Sequence, residues 1–232
     1  MCCIVYNAMK AVLLRIADWC GLTSKLVRTR IDAFLYAHRT RSRTLDVGGG
    51  SGPYRKYFPN RICIDAAAGE GVDAVGDAHD LSRFRDGEFE CVLCTEVLEH
   101  LHTPQKAIDE MRRVLAPGGT LILTTRFIFP LHNIPGDYFR FTRYGLKHLF
   151  REWKEVEICE EATTIETFAV LCERLGFQAE TLFTRFLSVL WLIGSKIIPQ
   201  FWFLVTGEYG EVGHQNKTKH ILTSGYYIVA TK

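Results

Sequence analysis

The sequence predicts an α/β fold in which a seven-stranded, mostly parallel sheet is flanked by helices. Three observations carry this: short apolar runs recur from residue 44 to residue 230, helical periodicity fills the spaces between them, and 232 residues with 47% hydrophobic content suffice for one core with additions.

Val12, Leu13, Ile16, Ala17 and Cys20 recur at helical spacing ahead of Gly21, and a second helix is expected over residues 24–38. Strands are then expected at residues 44–47, 61–64, 72–75, 89–94 and 120–125, and strands alternating with helices imply parallel βαβ units. Pro104 suits the first turn of a helix that has Ala107, Met111, Val114 and Leu115 on one face, and Pro117, Gly118 and Gly119 are expected to end it. Another helix is expected from Thr142, carrying Leu146, Leu149 and Phe150. Over residues 154–159, Val156 and Ile158 alternate with Glu155 and Glu157 as in a half-buried strand; residues 177–183 compete for the same role. Residues 226–230 supply the last strand.

About 65 residues separate those last two strands, far more than a hairpin needs, so an insertion is expected there. It opens on Thr163 and Glu166 as a capping box, continues through Phe168, Leu171, Cys172 and Leu175, and halts at Gly176. Residues 186–205 follow, apolar except mainly for Lys196, Pro199 and Gln200; a central Lys and a Pro favour a re-entrant, interfacial or core-packed helix pair over a membrane span. The expected organisation is an N-terminal helical segment (1–43), a core (44–160), the apolar helical insertion (161–223), and the final strand (224–232).

The net charge of +2 is uneven: residues 1–44 carry eight Lys/Arg against two Asp/Glu. Such a start suits an anionic surface or, more plainly, the solvated face of ordinary helices. Cys63, Cys91 and Cys94 fall inside buried runs and no secretory signal opens the chain, so a reducing cytoplasm is expected. Cys91 and Cys94 have a C-x-x-C spacing but lack a second ligand pair, and no metal or redox role is assigned to them.

The chemistry concentrates after residue 44. An apolar strand carries Asp46, and Gly48, Gly50 and Gly52 then form a G-x-G-x-G turn, with Pro53 suited to begin a helix. A dinucleotide fingerprint needs a glycine where Pro53 stands, which disfavours diphosphate cofactors. Asp65, nineteen residues after Asp46, closes the next strand, where a carboxylate can accept hydrogen bonds from ribose hydroxyls. A ribose without a diphosphate is implied.

Taken in order, LDVGGGSG, Asp65, GDAHDL (residues 76–81), FECVLCTEVLEHL and VLAPGGTLILTT make the sequence similar to the class I S-adenosylmethionine (SAM)-dependent methyltransferases, in the large group that includes the ubiquinone and menaquinone biosynthesis enzymes. The resemblance covers residues 44–159. It implies a Rossmann-like fold with SAM as cofactor: Gly48, Gly50 and Gly52 against its methionine part, Asp46 orienting the ammonium, Asp65 on the ribose, Asp77 on the adenine amino group with Ala78 beside it, and Thr95 and Glu96 at the end of the fourth strand.

Alignment and a dry site suffice for methyl transfer unless the acceptor is a hydroxyl, which needs a base. His100 and His132 follow strand ends and are the candidates. Residues 127–144 are expected to shape the acceptor pocket through His132, Asp137, Tyr138 and Arg140, or else to pack with Asp137 and Arg140 paired. Glu96, Glu99 and His100 also spell E-x-x-E-H, which resembles the metal site of small-RNA 2′-O-methyltransferases; with His132 it would hold a divalent ion. The expectation adopted is no metal, with Glu99 a surface residue and His100 hydrogen-bonded to backbone. No role is assigned to His79, His102, His148, His214 or His220.

The acceptor expected is a small or lipid-linked, hydroxyl-bearing molecule, with peripheral membrane contact or a homodimer as uses of the apolar insertion. An RNA acceptor lacks its concentrated basic stripe, and nucleic acid is not expected as a partner. A SAM-binding partner subunit without catalysis is the remaining alternative.

Overall fold

The computed structural model describes residues 25–178, 182–205, 207–209 and 217–232. The helix expected over Val12 to Cys20 lies outside them. The chain divides into two compact units: one gathers Thr163–Leu222 with the described residues up to Arg30, and the other joins Ile31–Ala162 to Thr223–Lys232.

The second unit is the sheet. Its strands are β1 (Thr44–Val47), β2 (Arg61–Asp65), β3 (Ala74–Val75), β4 (Phe89–Thr95), β5 (Leu115–Arg126), β6 (Glu155–Glu160) and β7 (Gly225–Thr231). They lie in the order β3-β2-β1-β4-β5-β7-β6, parallel except for β7, which runs antiparallel to both its neighbours. This is the predicted Rossmann-like sheet. The chain runs outward from β1 to β3 and returns to place β4 beside β1, so the strand order reverses at their carboxyl ends, where open α/β sheets bind ligands.

Burial explains why these runs are strands. Leu45, Val47, Ile64, Val92, Leu93, Leu121, Leu123 and Ile228 are almost fully buried, each contributing roughly 1.5–3 kcal/mol of apolar transfer. Helix α1 spans Leu26–Ala37, within the predicted stretch, and α2 spans Pro104–Val114 with Pro in its first turn. Ala107, Ile108, Met111 and Val114 of α2 are completely buried against the sheet. Helix α3 (Arg143–Leu149) follows Thr142, whose hydroxyl accepts the Gly145 N–H at 3.1 Å.

Three local expectations need correction. Pro53 begins no α-helix; only a 3-10 turn, Arg55–Tyr57, separates β1 from β2. Pro117, Gly118 and Gly119 do not follow α2 as a terminator, because β5 already starts at Leu115 and carries them as an irregularity between the Phe89–Leu115 and Cys91–Thr120 pairings. Gly118 takes φ +77° there, a conformation open to glycine at no steric cost. The third strand is two residues long, where four were expected. The sixth strand is the alternating run Glu155–Glu160, and residues 177–183 do not take that place.

The first unit holds α4 (Thr164–Phe177) and α5 (Leu182–Ile197), continued by a 3-10 turn, Ile198–Leu204. The Thr163–Glu166 capping box closes as predicted, with Thr163 N–H on Glu166 Oε2 at 2.8 Å and Glu166 N–H on Thr163 Oγ1 at 3.3 Å.

Candidate active site

A cleft of about 760 Å³ opens at the carboxyl ends of β1, β2 and β4. Gly48, Asp65, Asp77, Ala78, Glu96 and His100 line it together with Val97, His79, His102, Asn133 and Gly136. Sequence reasoning therefore brings six of its site residues into one cavity. His79 and His102, to which no role was assigned, stand in the same wall.

The glycine turn forms the near side. Gly48 has φ +72°, and a Cβ there would lie 2.3 Å from Val97 Cγ2. Gly50, at φ +48°, donates its N–H to Asp65 Oδ2 at 3.0 Å, and Ala67 N–H reaches Asp65 Oδ1 at 3.3 Å. Asp65 thus caps the turn while keeping lone pairs for a ligand. Gly52, Asp46 and Thr95 are not among the lining residues. Asp46 is buried behind the turn, paired through Oδ2 with the equally buried Arg61, which also donates to Gly71 O at 3.1 Å. Desolvation raises the Asp46 carboxyl to about 6 against the opposing Arg61 charge. Its second oxygen, Oδ1, is buried with no hydrogen-bond partner.

At the adenine end expected from GDAHDL, Asp77 Oδ1 accepts the His79 backbone N–H at 2.8 Å and its ring Nδ1 at 2.6 Å. These bonds hold the carboxyl below the usual range. The His79 and His102 rings stack at 4.3 Å.

The far side departs most from expectation. Glu99 is not on the surface: it is completely buried, carried inward by a 3-10 turn, Leu98–His100. Thr125 Oγ1 donates to Glu99 Oε2 at 2.8 Å, while Oε1 is buried without a hydrogen-bond partner. Burial, reinforced by Glu96, pushes the Glu99 carboxyl up to about 8. His100 does bond to backbone, through Nδ1 to Gly136 O at 2.7 Å; a carbonyl only accepts, so Nδ1 carries the proton and Nε2 is the basic nitrogen. His132 sits beside it, ring centroids 4.7 Å apart, with Nε2 4.0 Å from Glu99 Oε1. Burial pushes the His132 imidazole below its ordinary value.

Glu96, at φ +58°, is fixed by Thr124 Oγ1 at 2.7 Å and by the guanidinium of Arg126. Arg126 is itself buried and bridges to Glu161, which also accepts from Ser224 Oγ at 2.6 Å and Tyr227 OH at 3.2 Å. Asp137 and Arg140 are paired through two hydrogen bonds of 2.7 and 2.6 Å, the structural alternative expected for them, and Arg140 holds Asp137 well below the carboxylate range. Tyr138 is 54% exposed, with its backbone N–H on Glu99 O at 3.0 Å.

The set fits SAM on its own features: a backbone cradle where a Cβ would clash, an orphaned Asp46 oxygen behind it, and two carboxylates spaced along a cavity within the ~300–1,000 Å³ usual for ligand sites.

Comparisons with known proteins agree. A family described as a methyltransferase domain matches residues 21–182. A malonyl-[acyl-carrier protein] O-methyltransferase of Geobacter sulfurreducens is 35% identical over 122 residues, 44% of this chain and 45% of that protein. The chain spans about half the length of the first curated relatives it matches. Among solved structures, a SAM-dependent methyltransferase from Archaeoglobus fulgidus superposes with TM-score 0.57 at 16% identity, covering 95% of this chain and 99% of that one. The 1,6-didemethyltoxoflavin-N1-methyltransferase of Burkholderia thailandensis, crystallised with S-adenosylhomocysteine, superposes with TM-score 0.53 at 16% identity, covering 98% and 88%. Both share the fold.

Proposed function

We propose that this chain, which belongs to the methyltransferase-domain family, is a SAM-dependent methyltransferase whose acceptor is the hydroxyl of a small or lipid-linked molecule, with His100 as the base. The observation that carries this reading is the position of His100: it stands in the same wall as Gly48, Asp65 and Asp77 with its Nδ1–H committed to Gly136 O, leaving Nε2 free to take a proton.

SAM supplies an electrophilic methyl carbon on a sulfonium, so the protein's contribution is alignment, exclusion of water and removal of the hydroxyl proton. Asp65 receives the ribose hydroxyls and Asp77 the adenine amino group, with the backbone at Gly48 and Gly50 against the methionine part and Asp46, paired with Arg61 behind the turn, supporting that backbone. His100 Nε2 accepts the hydroxyl proton, its ring held in place by the Nδ1–H bond to Gly136 O. His132, neutral because it is desolvated, does not oppose the charge His100 then carries. Leu131, Ile134 and Tyr138, 69%, 73% and 54% exposed on the loop after β5, offer apolar contact to an acceptor. The sheet unit carries eighteen Lys/Arg against twenty Asp/Glu, a balance unsuited to a nucleic-acid backbone.

The test is His100→Gln assayed against a panel of hydroxylated acceptors. Turnover should fall by about 10²–10⁴-fold, the contribution of general base catalysis, with S-adenosylhomocysteine affinity retained. Retained turnover rejects His100 as the base, and binding without turnover of any acceptor by the unmodified chain favours a binding-only subunit.

A second reading places a divalent cation on Glu99, His100 and His132. One ligand atom from each lies within 4.8 Å of the others, and Glu99 Oε1 has no hydrogen-bond partner. His132 Nδ1 faces Pro130 O at 3.3 Å as His100 Nδ1 faces Gly136 O, the outer bonding that orients metal-ligating imidazoles. Glu96 is not in the group, being held by Arg126. Full activity after rigorous chelation rejects this reading; restoration of lost activity by one metal supports it over the base alone.

A further inference from the structure

In the unit that contains Thr163–Leu222, one helix is built inside out. α5 turns Ser188, Leu192 and Ser195 inward, at 8%, 8% and 0% exposure. They meet α4 where Gly176 permits an approach so close that an added Cβ would lie 2.8 Å from Leu192 Cγ. Ser195 Oγ is satisfied within the helix, on Leu192 O at 2.7 Å. Apart from Leu192, bulky apolar side chains point the other way. Leu190, Trp191 and Ile197 of α5, and Trp202, Phe203 and Leu204 of the turn that continues it, are between 46% and 71% exposed.

An amphipathic helix in water buries its large apolar residues and exposes its small polar ones. The reverse arrangement, small residues where two helices meet and bulky apolar residues outside, is the pattern of helices whose surroundings are hydrocarbon. The charges point to the same surroundings. Residues 182–205 include Arg185 and Lys196 and no Asp or Glu; Lys196 is turned toward the buried Glu173 at 3.6 Å, but the described residues of the unit still carry eight Lys/Arg against three Asp/Glu, while the sheet unit has an acidic excess. Anionic headgroups complement that balance. Length decides how such a helix would lie. Sixteen residues reach about 24 Å, the helix then breaks into the 3-10 turn at Pro199, and among the described residues no helix is long and apolar enough to cross a membrane. Trp191 and Trp202 suit the boundary between headgroups and acyl chains, where an indole keeps its N–H wet and its rings dry.

We propose that the outer face of α5 and the following turn is a docking surface for a bilayer containing anionic lipid, seated at its headgroup–acyl boundary. This does not depend on which acceptor is methylated. The experiment is flotation of the full chain with vesicles of phosphatidylcholine, alone and mixed with phosphatidylglycerol, alongside fluorescence quenching by brominated acyl chains. The unmodified protein should float with the mixed vesicles, less with phosphatidylcholine alone, and its tryptophans should be quenched. Trp202→Ser combined with Phe203→Ser should weaken partitioning about tenfold or more while leaving S-adenosylhomocysteine affinity unchanged. Absence of both flotation and quenching in the unmodified chain overturns the proposal without recourse to any variant. So does equal flotation of the folded double variant, or a dimer that this variant dissociates and that does not bind vesicles.

Discussion

Asp46 and Arg61 form an ion pair sealed behind the glycine turn, their side chains 4% and 3% exposed. A Cβ on Gly52 would lie 2.3 Å from Arg61 Nη2, so the guanidinium packs directly beneath the glycine turn. Removing one partner strands the other charge in a dry site. Arg61→Met should therefore cost about 3–5 kcal/mol, while Arg61→Met with Asp46→Leu should cost much less, because neither charge is then left alone. Urea denaturation of the two single variants and the double variant closes the cycle, and additive losses would show that the pair is not coupled.

Gly48 and Val97 are set against each other across the cleft wall. Gly48→Ala adds a methyl 2.3 Å from Val97 Cγ2 at φ +72°, and should weaken S-adenosylhomocysteine binding by about tenfold or more. Adding Val97→Ala removes the collision but not the backbone strain, so calorimetry should show partial recovery. No recovery would place the fault in the backbone alone.

The strands could be read from the sequence because their apolar runs are buried on both faces, and α2 and α4 because Pro104 and the Thr163–Glu166 box are local signals. The near wall of the cleft was legible for a related reason: Gly48, Asp65 and Asp77 line it from fixed places at or just after strand ends. The acceptor side was not. Whether Glu99 is a surface charge or a buried acid depends on the 3-10 turn Leu98–His100 and on Thr125, 26 residues away. Arg126, which lies just past the strand expected over residues 120–125, meets its partners Glu96 and Glu161 across 30 and 35 residues. Charge is written in the chain; which charges meet is written in the packing.

Glu99 makes the stability of the sheet unit depend on pH with a definite sign. Its carboxyl titrates at about 8 in the fold against an ordinary 4.5, so between these values the folded state holds the extra proton. Stability from this group is thus full below about pH 4.5 and is lost as pH rises toward 8, with a slope on the order of 1.4 kcal/mol per pH unit. Glu99→Gln keeps the shape without the titration. Denaturation measured from pH 5 to pH 8 should show the unmodified chain losing stability relative to this variant, and parallel curves would refute the assignment.

His79 and Asp77 supply the last prediction, which concerns affinity for SAM. The His79 ring is buried, donates from Nδ1 to Asp77 at 2.6 Å and accepts the Thr103 N–H on Nε2 at 3.3 Å, so it fixes the Asp77 carboxylate with respect to the start of α2. On the proposed reading, in which Asp77 takes the adenine amino group, His79 is a positioning residue. His79→Leu should therefore weaken SAM binding by about tenfold or more, the effect of losing one hydrogen bond to a charged group, and should spare kcat at saturating SAM. His79→Asn restores a donor near the carboxylate and should recover part of the affinity. Discrimination against SAM analogues substituted on the adenine amino group should fall in His79→Leu and return in His79→Asn. A variant that loses thermal stability and kcat together, with discrimination intact, would show that His79 serves only packing.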